Sequence, residues 1–116
     1  MSVQDNDERQ LLCILRHCER IERTVHRVNR DFTVFADDRD FIDSTCLNIL
    51  QIGEFANRLS KDFVSETSWE IPWRSIIGMR NIIAHHFEAV DVERLWETAY
   101  NDIPALALHC RTWLSQ

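Results

Sequence analysis

Glycine and proline number two each in 116 residues, which leaves few places for sharp turns or left-handed backbone. No run alternates apolar and polar residues in the way a half-exposed strand does. With hydrophobic residues at 45%, these absences predict an all-α protein: a single helical domain over residues 1–116, folded as an antiparallel bundle of four to five helices around a modest core. No apolar stretch approaches the ~18 residues needed to cross a bilayer. The N-terminal segment, with Asp5, Asp7 and Glu8, is unlike a secretory signal. A soluble, cytoplasmic protein without a membrane partner is the expectation.

Cys13, Cys18, Cys46 and Cys110 lack any paired Cys-x-x-Cys spacing, so no zinc site is expected, and Cys18 and Cys46 fall among helix-face apolar residues as buried free thiols would. Basic charge is short as well. Lys+Arg total 13 against 19 Asp+Glu, and the net charge of −6 argues against non-specific nucleic-acid binding, because phosphate contacts need a basic surface. Any RNA contact is then local. Lys61 is the sole lysine and the other basic residues are arginines, the better type for forked phosphate contacts. There is no internal repeat, low-complexity tract, Gly-rich phosphate loop or common enzyme motif, and no cofactor is implied.

What is present is helical periodicity. From about Asp5 to Asn29, Leu11, Ile14, Leu15, Cys18, Ile21, Val25 and Val28 recur at three- and four-residue spacings, with Arg16, Glu19, Arg20 and Arg23 between them. This reads as a long packing helix with a solvated charged face. Asp37, Asp38 and Asp40 supply a cap for a second helix, which Phe41, Ile42, Thr45, Ile49, Ile52, Ala56 and Leu59 carry to about Ser60. Residues Lys61 to Glu70, with Ser65, Thr67 and Ser68, break the period and predict a loop. Trp69 and Trp73 bracket the entry to the next helix; they could stack on bases, but packing is the commoner use of large aromatics. Asp91 is a cap for a helix carrying Val92, Leu95, Trp96 and Ala99, and Pro104 starts a last helix through Leu106, Cys110, Trp113 and Leu114.

The stretch Ile71 to Phe87 reads as one helix opened by Pro72. At about 100° per residue from Arg80, Trp73, Ile76, Ile77, Ile83 and Phe87 all fall within about 60° of it, so an arginine sits in an apolar stripe. Met79 and Ile82 lie elsewhere on the wheel, which makes this helix apolar nearly all round and destined for burial on more than one face. Asn81 and His85, one turn apart, form a polar strip beside Arg80. Gly78 on that side suggests that another backbone or a ligand comes close. Glu54 of the preceding helix could hold the Arg80 guanidinium, or could face water. Taken singly, Arg80 could equally snorkel or pair with a carboxylate, and His85 could be an ordinary satisfied side chain.

The run from Trp73 to Phe87, followed by Val90-Asp91, Trp96 and Asp102-Ile103-Pro104, closely resembles the HepT-like family of HEPN domains. Ile52-Gly53-Glu54 and Arg58-Leu59-Ser60 extend the likeness to about the last two-thirds of the chain. The resemblance implies a helical-bundle ribonuclease toxin of a type VII-like toxin–antitoxin pair. Such a toxin cuts RNA without a metal and is paired with a minimal nucleotidyltransferase antitoxin. It also implies a homodimer with the two Arg80–His85 helices facing each other, consistent with a helix that a chain of this size cannot easily cover. Arg80 and His85 would be the catalytic pair, Asn81 and Glu54 their support, and His86 an interface or surface residue. Histidine suits proton transfer from a 2′-hydroxyl because its ordinary pKa of about 6.5 lies near working pH, and arginine suits the developing charge on phosphate. The expected products carry a 2′,3′-cyclic phosphate and a free 5′-hydroxyl. The departure is Phe87, where the family has a tyrosine whose hydroxyl receives AMP from the antitoxin; phenylalanine has no acceptor oxygen, and the sole tyrosine, Tyr100, lies outside the motif. The other readings are a non-catalytic subunit that binds a nucleotidyltransferase partner or a nucleotide, and a purely structural helical dimer.

Overall fold

The structure, a computed structural model, describes residues 3–116, and those residues are all helix and connecting turn. Four helices of twelve residues or more form the frame: α1 (Asp5–Arg27), α3 (Arg39–Ala56), α5 (Trp73–His85) and α7 (Ile103–Leu114). Shorter helices α2 (Phe32–Ala36), α4 (Lys61–Thr67) and α6 (Val92–Glu97) lie between them. α3 packs against both α1 and α5, and α7 against α1. No helix among the described residues is long and apolar enough to cross a membrane.

One apolar core joins these elements. Leu11, Ile14, Cys18, Ile21 and Val28 of the first segment meet Ile49 and Ile52 of α3 and Leu106, Ala107 and Cys110 of α7, all fully or almost fully buried. The three- and four-residue spacing seen in the sequence therefore does place one stripe of α1 inside. Burial pushes the Cys46 and Cys110 thiols up to about 11 and about 12, and that of Cys18 further still. These are inert packing residues, as their helix-face positions suggested, while Cys13 is half-buried.

Aspartates start the helices where caps were expected. Asp38 accepts hydrogen bonds from the backbone of Asp40 and Phe41, and Asp91 from Glu93 and Arg94. Asp31 does the same for Thr33 and Val34, opening α2, which the sequence reading did not foresee. The expected loop at Lys61 to Glu70 is also mostly helix. Ser60 caps α4 through Phe63, and Thr67, rather than breaking the helix, turns its hydroxyl back to the Phe63 carbonyl at 2.7 Å. Phe63 is then buried against Trp73 and Trp113, and the Trp73 indole donates to Thr67 Oγ1 at 2.8 Å. Trp73 is thus a core residue, whereas Trp69 is exposed.

Pro104 stands in the first turn of the last helix, as expected, but α7 does not start afresh there. Val92 to Leu114 is one continuous helical run, interrupted by a π segment over Thr98–Asp102. A proline inside a regular α-helix clashes with the carbonyl four residues earlier; the wider π turn just ahead of Pro104 relieves that clash and lets the helix continue.

Candidate active site

α5 is held against α3 by a close approach of backbone to side chain. A Cβ built on Gly53 would lie 2.3 Å from Arg80 Cβ and 2.7 Å from its Cγ. Gly53 has no positive φ, so its role is space rather than conformation. The crowding expected at Gly78 is therefore found at Gly53, while a Cβ at Gly78 would meet nothing within 4 Å.

With its stem on Gly53, the Arg80 guanidinium reaches the next residue of α3. Nε donates to Glu54 Oε1 at 2.7 Å and Nη2 donates to the same oxygen. Nη1 donates to Asn81 Oδ1 at 2.8 Å. The ion pair is neither sealed nor open: the Arg80 and Glu54 side chains are 29% and 30% exposed. One hydrogen on each of Nη1 and Nη2 has no partner among the described residues, which leaves a donor pair for an anionic oxygen. Asn81 spends its carbonyl on Arg80, so its amide hydrogens are the free polar group it presents.

His85, the last residue of α5, is exposed and makes no side-chain hydrogen bond among the described residues. It shares a face with Asn81, but lies five residues from Arg80, about 7.5 Å along the axis and about 140° around it. The structure thus brings Arg80, Glu54 and Asn81 together by direct bonds, and within one chain it leaves His85 apart from them.

The helix ends two residues sooner than the apolar wheel predicted. His86 leaves helical geometry at φ −140°, ψ 49°, and Phe87–Ala89 form a 3-10 turn. Phe87 consequently leaves the Arg80 stripe. Its ring lies under the Arg39 guanidinium at the start of α3, 5.7 Å from centroid to Cζ, and remains partly exposed. Burial of α5 on several faces is also not met within the chain: only Trp73 and Ile83 are buried, and Ile82 is 45% exposed.

Two residues that shape this region were missed in the sequence reading. Gly53 stands in the motif but gave no sign of being the contact point, because its partner is 27 positions away. Asp7 looked like one of several N-terminal acids, yet it is buried and accepts the N–H and O–H of Ser60, each at 2.7 Å, fixing the corner where α3 hands over to α4. No group of three or more His, Cys, Asp or Glu side chains among the described residues is placed to hold a metal ion.

The all-α bundle thus presents on α5 an arginine held by Glu54 of α3, an asparagine and a histidine. The comparisons with known proteins name a family. The family model described as ribonuclease HepT-like matches residues 14–112, and the chain belongs to that family. A relative described as a candidate RNase, from Caldanaerobacter subterraneus subsp. tengcongensis, is 31% identical over 93 residues, covering 80% of each chain. Another, from Methanocaldococcus jannaschii, is 28% identical over 82 residues, covering 66% of this chain and 74% of its own. A protein named as a candidate ribonuclease HepT, from Thermococcus cleftensis, is 42% identical over 55 residues, about half of each chain. No solved structure matches the chain significantly.

Proposed function

We propose that this protein is a metal-independent endoribonuclease whose catalytic residues are Arg80 and His85, and that it acts as the cytoplasmic toxin of a pair with a minimal nucleotidyltransferase antitoxin. The observation that carries the reading is the Arg80 fork: fixed from behind by Glu54 and Asn81, partly desolvated, and still holding donors in reserve. In the reaction His85 takes the proton of a ribose 2′-hydroxyl, whose oxygen attacks the adjacent phosphorus. Arg80 and the Asn81 amide meet the charge gathering on the phosphoryl oxygens. The P–O5′ bond breaks, the leaving oxygen takes a proton from solvent, and the products are a 2′,3′-cyclic phosphate and a 5′-hydroxyl.

Association of two copies through α5 completes the site. On one helix Arg80 and His85 point about 140° apart. A two-fold axis beside the Asn81–His85 strip, toward which the Arg80 guanidinium leans through its bond to Asn81, would set each His85 against the partner copy's motif. Phe87 offers no hydroxyl for AMP, which leaves control by direct binding of the antitoxin, modification at another position, or a nuclease that is weak or lost.

The test is cleavage of a labelled RNA in EDTA by the wild-type protein beside Arg80→Ala and His85→Ala, with mass analysis of the ends. Cyclic-phosphate ends from wild type alone support the assignment. A folded wild-type dimer that leaves RNA intact sinks it, and favours the non-catalytic subunit in which the Arg80–Glu54 pair only joins two helices.

A further inference from the structure

The outer face of α1 carries arginines of a kind the fold does not need. Counting about 100° per residue, Arg9, Arg16, Arg20, Arg23 and Arg27 fall within about 60° of one another, directly opposite the stripe of Leu11, Ile14, Cys18 and Ile21 that enters the core. They run about 27 Å along the helix. Arg30 continues the line just past its end, with φ 57°, in a left-handed conformation usually left to glycine. All are exposed, and none makes an ion pair or side-chain hydrogen bond among the described residues. Of the acids on the same helix, Glu19 and Glu22 turn instead toward Arg111 of α7, at 3.4 and 3.8 Å, and Asp5, one turn before Arg9 on this face, makes no ion pair among the described residues.

An ordinary solvated face mixes its charges, and like charges three or four residues apart destabilise a helix by about 0.2–0.5 kcal/mol per pair. Favourable contact with the helix dipole accounts for the last turn only, not for Arg9, Arg16 or Arg20. In a protein of net charge −6 this face holds half of the twelve arginines. Where it ends, a groove of about 680 Å³ opens between α1 and the π segment, and its lining includes Arg23, His26, Arg27, Arg30 and Tyr100 together with one carboxylate, Glu22. Tyr100 is exposed there, and its ring rests on Trp96 at 5.5 Å between centroids. π segments recur at functional sites, and a supported aromatic beside cations is what a stacked base requires.

We infer that the arginine face of α1 and the groove at its end form a docking track for single-stranded RNA, with phosphates along Arg9 to Arg30 and a base on Tyr100. It rests on the ribonuclease reading for its choice of ligand, and it is separate from the Arg80 patch, since α3 packs between α1 and α5. The track supplies the local basic surface that the acidic chain otherwise lacks.

The experiment is equilibrium binding, by fluorescence anisotropy across a salt series, of a labelled single-stranded RNA whose 2′-hydroxyls are all methylated. Such an RNA cannot be cut by 2′-hydroxyl attack, so the readout is independent of the Arg80 site. Wild type is compared with Arg16→Gln/Arg20→Gln/Arg23→Gln and with the charge-matched Arg58→Gln/Lys61→Gln/Arg74→Gln; glutamine keeps helix propensity, and circular dichroism checks folding. With three phosphate contacts removed, the slope of log K against log salt should fall by about 2 in the α1 variant and by much less in the control. Tyr100→Leu should weaken binding without changing the slope. A slope and affinity unchanged in the α1 variant, or lowered equally in the control, overturn the proposal, even if that variant loses an acidic protein partner. A wild type that binds by this slope yet never cleaves ordinary RNA defeats the nuclease reading and leaves the track standing.

Discussion

The same substitution, glycine to alanine, should have opposite effects at the two glycines of this protein. At both positions alanine gains about 1 kcal/mol of helix propensity. At Gly78 nothing opposes the gain, since the added Cβ meets no atom within 4 Å. At Gly53 the Cβ would lie 2.3 Å from Arg80 Cβ, the rigid root of that side chain and not its mobile end, so α3 and α5 must separate. Overpacking of this kind costs about 1–3 kcal/mol, and the larger part of that range exceeds the propensity gain. Unfolding entropy of about 2 cal/mol/K per residue makes each kcal/mol worth about 4 °C in a chain of this length. Gly78→Ala should therefore raise Tm by about 2–4 °C, and Gly53→Ala should lower it by up to about 8 °C. Calorimetry on both variants decides the matter at protein concentrations low enough to keep association from contributing. The separation at Gly53 also stretches the 2.7 Å bond from Arg80 Nε to Glu54, so RNA cleavage should fall in Gly53→Ala more than stability alone explains. Equal upward shifts in Tm for both variants would refute the close approach on which the site's geometry depends.

Arg80→Ala should cost about 1 kcal/mol of stability or less, because the pair with Glu54 is 29% and 30% exposed, and yet should abolish cleavage by about a hundredfold or more; a large drop in Tm without loss of cleavage would make the pair structural. Asp7→Ala leaves the Ser60 N–H and O–H without their buried acceptor and should destabilise by about 3 kcal/mol, read by urea unfolding. The thiols of Cys46 and Cys110 stand at about 11 and about 12 in the fold, raised by burial from 9.0, and Cys18 stands higher. Raised folded values mean that their stabilising effect is complete below pH about 9 and is lost as pH climbs through those values, so Tm from this cause should be flat to pH about 9 and decline above it. At pH 8 an alkylating reagent should mark Cys13 before the other three, which react only after unfolding.

The long helices were legible because their burial is local in sequence: a stripe every three or four residues, opened by Asp38 or Asp91, needs no partner to be recognised. α4 was not, because Ser65, Thr67 and Ser68 favour turns on their own, and only the burial of Phe63 between Trp73 and Trp113 selects the helix. The Glu54–Arg80 bond was foreseeable as one of two possibilities, since both lie on helices that pack. Its foundation at Gly53 was not, because a glycine that makes room leaves no signature of what occupies the room. Phe87 was misplaced for a different reason: the apolar period continues to it, but nothing in the period marks His86 as the residue that leaves the helix.

The side chains that fit the fold poorly are concentrated in two places. Within α5, an arginine interrupts the apolar stripe, Ile82 faces outward, and a mid-helix Gly78 faces open space. On α1, like charges stand in line against the helix's own interest, ending in an arginine at positive φ. Elsewhere local preference and tertiary placement agree: capped starts, a continuous core, buried thiols, a π turn ahead of Pro104. Departures from that agreement are expected where something other than folding fixed the residue. Here they divide by chemistry, an apolar surface with one forked cation on α5 and a line of arginines on α1. On the proposed reading the first receives a second copy of the chain over a reacting phosphate, and the second receives the phosphates that do not react. A nuclease needs both, because a site able to stabilise one phosphorane is too small to hold a polyanion in register, and binding energy gathered away from the reacting bond is what positions that bond for attack.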